Sequence, residues 1–93
     1  RLMDNAAAQA RRIRAAVAGS FITAVRGEGL LLGLVAGKHA APLKKYLQQQ
    51  AILVGGASDP AVLRLMPPLN VSTESVSTLL EAIRRYATEQ QLP

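Results

Sequence analysis

The segment that most limits what this chain can become is the apolar run Leu30-Leu31-Leu32-Gly33-Leu34-Val35-Ala36. It is bracketed by Gly29 and by Gly37-Lys38, and it falls well short of the roughly 18 to 20 residues that a membrane-spanning helix needs. A run this short, this apolar and free of one-sided polarity reads as a strand covered on both faces. The preceding Phe21-Ile22-Thr23-Ala24-Val25-Arg26 has the β-branched character of a strand, and Gly27-Glu28-Gly29 supplies a turn able to take positive φ. Together they predict an antiparallel hairpin. Helices of the same domain are expected to cover one face of its second strand, and something outside this chain the other.

The rest of the chain supplies those helices. Residues 2–17 are rich in Ala, Gln and Arg, with Leu2, Ala6, Ala10, Ile13 and Val17 at three- and four-residue steps, which predicts an amphipathic helix ended by Gly19. A second helix is expected over residues 40–50, with Pro42 in its first turn and Leu43 and Leu47 facing inward. Ile52-Leu53-Val54 reads as a short buried strand, residues 55–60 as a loop of turn formers, and residues 61–66 as a further strand stopped by Pro67-Pro68. Ser72 is a suitable N-cap with Glu74 in the first turn, and Val76, Leu79, Leu80, Ile83 and Ala87 carry the stripe of a C-terminal helix. The order helix, hairpin, helix, strand, strand, helix predicts an α+β fold: a small three- to four-stranded, mostly antiparallel sheet with helices packed on one face.

Ninety-three residues leave room for one domain, residues 1–93, and 49% hydrophobic against 18% charged residues is the balance of a folded chain. The absence of cysteine removes disulfides, thiolate metal sites and a cysteine nucleophile, and it fits a reducing compartment. His39 is the only imidazole and has no carboxylate cluster around it, so no metal site is expected. Eleven Lys and Arg against six Asp and Glu give a net charge of +5 and raise the question of nucleic acid. The cations, however, are spread over every predicted element, and Phe21, Tyr46 and Tyr86 are the only aromatic side chains on which bases could stack. That distribution describes the solvated faces of a small domain. The chain opens on Arg1 without an initiator Met or a signal-peptide pattern, and reads as a piece of something longer.

Arg64 is the candidate for chemistry. In a strand, Leu63 and Leu65 point to one side while Val62, Arg64 and Met66 point to the other, so a guanidinium stands between apolar neighbours on the face away from the core. Its planar fork of donors suits bidentate capture of a carboxylate, and the competing reading is a solvent-facing or edge-guarding arginine. Arg26, at the hairpin's end, reads as structural. Gly55-Gly56 reads as a turn, because neither a helix start nor a Lys-Ser/Thr pair follows it. His39 has no Ser, Cys or Asp at a motif spacing. Lys44 and Lys45 lie on a charged helix face where nothing would desolvate an amine for Schiff-base chemistry, and Lys38 fares no better. The chain therefore carries no catalytic constellation of its own.

Four stretches, in order, resemble a known family. Leu2-Met3-Asp4-Asn5-Ala6 is similar to a Leu-x-Glu-Asn-Ala helix start, and Val25-Arg26-Gly27-Glu28-Gly29-Leu30-Leu31-Leu32-Gly33 to a Val-Arg-Gly-x-Gly-Leu-x-x-Gly hairpin. Ile52-Leu53-Val54, then Val62-Leu63-Arg64-Leu65-Met66-Pro67-Pro68-Leu69, resemble a Leu-Val strand followed by Leu-Arg-Leu/Phe-x-Pro-Pro/Ser-Leu. These belong to the C-terminal small domain of class III (subgroup II) pyridoxal-phosphate aminotransferases, of the acetylornithine and ornithine aminotransferase branch, and the likeness covers essentially the whole chain. The resemblance implies the small domain of a fold-type I transferase. It also implies that Arg64 is the arginine that binds the α-carboxylate of the amino acid or of 2-oxoglutarate, and that Arg26 is architectural. The lysine that holds pyridoxal phosphate, the phosphate loop and the aspartate at the pyridine nitrogen belong to the family's large domain, so this chain is expected to hold no cofactor and to be inactive alone. The implied parent is a cytoplasmic homodimer acting in arginine biosynthesis on a small amino acid and a 2-oxo acid.

Two positions depart from the family's pattern. Ala51 stands where Gly is common after the helix, and a left-handed residue there costs about 1 kcal/mol. The Ala57-Ser58-Asp59 loop is longer and more polar than the common Ala-Gly-Pro. The alternative to an aminotransferase piece is a stand-alone α+β binding or regulatory module associated with RNA.

Overall fold

A computed structural model describes residues 2–28, 31–52, 54–65 and 72–93. Three helices, α1 (Leu2–Val17), α2 (Ala40–Gln49) and α3 (Thr73–Glu89), and four strands, β1 (Ala24–Glu28), β2 (Leu31–Val35), β3 (Gly55–Gly56) and β4 (Val62–Leu65), follow in the order α1-β1-β2-α2-β3-β4-α3. The strands form one antiparallel sheet in the order β1-β2-β4-β3. The expected α+β class holds, and so does the placing of the helices on one face. Leu32 and Leu34 of β2 and Leu63 and Leu65 of β4 are buried in one cluster with Ile13 of α1, Leu43 and Leu47 of α2, and Val76, Leu79 and Ile83 of α3.

Each helix forms for reasons local to its sequence. In α3 the Ser72 hydroxyl caps the first turn by accepting from the Ser75 N–H at 3.2 Å, and of the expected stripe Val76, Leu79 and Ile83 are buried, Leu80 and Ala87 partly so, with Ala82 and Tyr86 buried beside them. A single 3-10 turn, Gly37–His39, precedes α2, whose Ala40, Leu43 and Leu47 face the core. Although Ala51 departs from the glycine common at that place, it ends α2 in the left-handed region all the same: Ala51 has φ 62°, its N–H donates to the Gln48 carbonyl at 3.0 Å, and the Ile52 N–H donates to the Leu47 carbonyl at 2.9 Å. α3 ends in the same way through Gln91, at φ 57°.

The strands depart from expectation in three places. β1 begins at Ala24, three residues later than the β-branched run predicts, because Phe21 and Ile22 are core side chains ahead of the sheet. At the other end β1 runs on to Glu28, pairing with Leu31, so Gly27 belongs to the strand. Gly27 has φ +85°, and a Cβ there would lie 2.5 Å from the Leu31 carbonyl oxygen, which only glycine avoids. The turn itself, residues 29 and 30, lies outside the described residues, as do Leu53 and residues 66–71. Finally, β3 is Gly55-Gly56, expected as loop, whereas Ile52 and Val54, expected in a strand, are buried ahead of it without pairing in the sheet. Gly55 pairs with Arg64 and Gly56 with Leu63, so a strand forms by backbone pairing alone, without the side chains by which strands are read from sequence.

Candidate functional site

The register of the sheet builds a row of four residues across its outer face. Arg26 of β1 pairs with Gly33 of β2, Gly33 with Arg64 of β4, and Arg64 with Gly55 of β3. Directly paired residues point to the same side of a sheet, and Leu34 and Leu63 in the next row point inward, so both arginines project from the side opposite the helices. Arg64 is exposed and has no hydrogen-bond or ion-pair partner among the described residues. Its neighbour on each flanking strand is a glycine, which leaves its guanidinium without a side chain directly across from it on either side. A Cβ at Gly33 would also lie 2.8 Å from Cγ1 of Val62, the residue that shares this face with Arg64. Beside the row the face carries Leu31, 54% exposed, and Val35, half-buried. The covering expected for the second face of β2 is thus absent from the described residues, and Leu31 is open on that face.

Arg26 carries the ion pair its structural reading anticipates. Its Nη1 lies 3.8 Å from Oδ2 of Asp59, in the loop that leads into β4. Asp59 carries no signal of this role in the sequence, because a loop carboxylate meets Arg26 only through the pairing of β1, β2 and β4. Other cations are engaged in holding the fold. Arg12 donates to the Thr73 carbonyl at 3.0 Å and to the Ser77 hydroxyl, which ties α1 to α3, and Arg14 donates to the Gly27 carbonyl at 2.6 Å.

The remaining candidates lie elsewhere. His39 is half-buried, with Nδ1 3.3 Å from the Tyr86 hydroxyl and its ring edge-on to Phe21, so it packs between α2, α3 and the segment ahead of β1. Burial pushes the Tyr86 phenol up from its ordinary value, and partial burial together with the neighbouring Glu89 carboxylate does the same to Tyr46. Lys38 and Lys45 line a shallow surface cleft beside these rings, and Lys44 is half-buried beside Gly56. A groove of about 630 Å³ between α1 and α3, bordered by Arg12, Phe21, Leu80 and Arg84, lies among the helices and does not include Arg64. Among the described residues no group of three His, Cys, Asp or Glu could hold a metal ion, and no helix is long and apolar enough to cross a membrane.

What this site can do is therefore narrow. A guanidinium presented on an open, partly apolar face can bind a carboxylate through two parallel hydrogen bonds, and among the described side chains no base or nucleophile stands beside it to act on what it binds.

No protein-family model matches the chain. It is 34% identical over 92 residues to the acetylornithine aminotransferase of Bacillus subtilis, an alignment that takes in 95% of this chain and 24% of the relative. The solved N-acetylornithine aminotransferase of Stenotrophomonas maltophilia superposes with a TM-score of 0.69 at 30% identity, over 92% of this chain and 27% of that one. The ornithine aminotransferase of Toxoplasma gondii shares the fold with a TM-score of 0.79 at 20% identity, over 97% of this chain and 23% of that one. In each case the chain spans about a quarter of the longer protein. Over nearly its whole length, this chain is homologous to one segment of the acetylornithine aminotransferases.

Proposed function

We propose that this chain is the C-terminal small domain of a pyridoxal-phosphate aminotransferase that moves the ω-amino group of an N-acylated or free ornithine-like donor onto 2-oxoglutarate. Within that enzyme the domain captures a substrate carboxylate through Arg64 and forms part of the wall that closes over the substrate. The observation that carries this reading is the Arg64 guanidinium, partner-free among the described residues and standing between two glycines on the open side of the sheet. Bound pyridoxal phosphate supplies the electron sink for the chemistry. In this reading its site belongs to the large domain, and so to parts of the enzyme outside this chain, as the resemblance implies. Those parts would also cover Leu31 and Val35, in a cytoplasmic homodimer of the arginine-synthesis pathway, and the chain alone would not turn over. An RNA-binding reading gains nothing, because Arg12, Arg14 and Arg26 are engaged within the fold.

The test is Arg64→Ala in the full-length aminotransferase that carries this chain. Removing a bidentate, charge-assisted pair is expected to raise KM for 2-oxoglutarate by about 10- to 100-fold. Unchanged steady-state constants would sink the role of Arg64.

A further inference from the structure

The outer face holds two arginines, and a face with two free guanidiniums would treat ligands differently from a face with one. Arg26 and Arg64 stand in the same row with only Gly33 between them. Strands about 4.8 Å apart put their Cα atoms about 10 Å from each other, so both side chains are long enough to reach over the bare glycine toward a shared ligand. Left to themselves, they would grip a dicarboxylate at both ends.

Asp59 alters that balance. Its Oδ1 accepts from the Ala61 N–H at 2.9 Å, and its carbonyl accepts from the Val62 N–H at 3.1 Å, so both its side chain and its backbone are fixed by the turn that starts β4. The other carboxylate oxygen, Oδ2, faces Arg26. We propose that Asp59 is a specificity-determining residue: a built-in carboxylate that engages Arg26 and leaves Arg64 the one guanidinium of this row open to a ligand. The site then takes small 2-oxo acids and amino acids by a single carboxylate, and the second acid group of a dicarboxylate gains nothing from Arg26. This rests on the reading of Arg64 as a carboxylate binder. Arg26 and Asp59 are 64% and 51% exposed, so water and salt screen their interaction and the effect on ligand choice is a modest factor.

The experiment compares 2-oxoglutarate with the monocarboxylate 2-oxobutyrate on the 93-residue chain, following the backbone amide shifts of residues 62–65 through each titration. Asp59→Asn keeps an oxygen to cap Ala61 and removes the charge. It is expected to tighten 2-oxoglutarate by about two- to fivefold at low salt, with the gain fading as ionic strength rises, while 2-oxobutyrate moves much less. Arg26→Gln added to Asp59→Asn should abolish the gain. The proposal is overturned if Asp59→Asn shifts the two acids equally or not at all, or if its gain survives the addition of Arg26→Gln. Arg64→Gln separates the two levels. If it weakens both acids while Asp59→Asn fails, only the role of Asp59 falls; if it changes neither, the carboxylate reading of Arg64 falls and takes the role of Asp59 with it.

Discussion

The two faces of the sheet use the same strands to opposite ends. On the inner face Leu32, Leu34, Leu63 and Leu65 are buried under three helices. One residue along each strand, the outer face presents Gly33 and Arg64, with Leu31 open to solvent. The inner face is constrained by packing on every side, and the outer face is asked for little beyond backbone pairing. In this chain, stability and recognition are divided by the two-residue period of a strand.

Substitutions can break or sharpen that division. The largest effect is expected at Leu34→Ala, which removes a fully buried side chain paired across both β1 and β4 and should destabilise the chain by about 3 kcal/mol in urea unfolding, with little effect on carboxylate binding beyond the loss of folded protein. Gly33→Ala tests whether the outer face is as undemanding as it looks. The new Cβ would press on Val62 at 2.8 Å, and a loss of about 1 kcal/mol is expected, together with weaker binding at Arg64. Ala51→Gly works within the helical layer: relieving a left-handed alanine should raise stability by about 0.5 to 1 kcal/mol and leave binding untouched. The smallest stability change belongs to Arg64→Ala, within about 0.5 kcal/mol of the parent, even though carboxylate-dependent amide shifts should vanish. A large destabilisation by Arg64→Ala would mean that the two faces are not separable.

How much of this was legible in the sequence depended on what each residue answers to. Helix α3 was readable because its cap, its acidic first turn and its apolar stripe are all local signals, written at Ser72, Glu74 and the positions from Val76 onward. β4 was readable because Leu63-Arg64-Leu65 alternates, and the same alternation placed Arg64 on the outer face. The left-handed end of α2 was not legible at Ala51 itself, because alanine carries no signal for that conformation and stands where the aminotransferase pattern commonly has glycine. β1 was misplaced at its start because Phe21 and Ile22 have the composition of a strand but answer to the core. β3 was missed because two glycines carry no side-chain signal, and their pairing is decided by the backbone of β4. The Arg26–Asp59 pair was out of reach for a related reason: it joins residues that become neighbours only once β1, β2 and β4 are in register.

One bond at the far side of the molecule bears on time. The Phe21 N–H donates to the carbonyl of Pro93 at 3.2 Å, and Phe21 is itself a core residue packed against Tyr86 of α3. Residues near the beginning of the chain are thus closed off by residues near its end. On a ribosome, α1 and the hairpin emerge long before the helix that supplies Val76, Leu79, Ala82, Ile83 and Tyr86 to their shared core. Until α3 has been synthesised, Phe21, Ile22 and the inner leucines of the sheet have no complete cover. The vulnerable interval of this domain, when chaperones or self-association can claim it, therefore lasts almost its whole synthesis, whatever the stability of the finished fold.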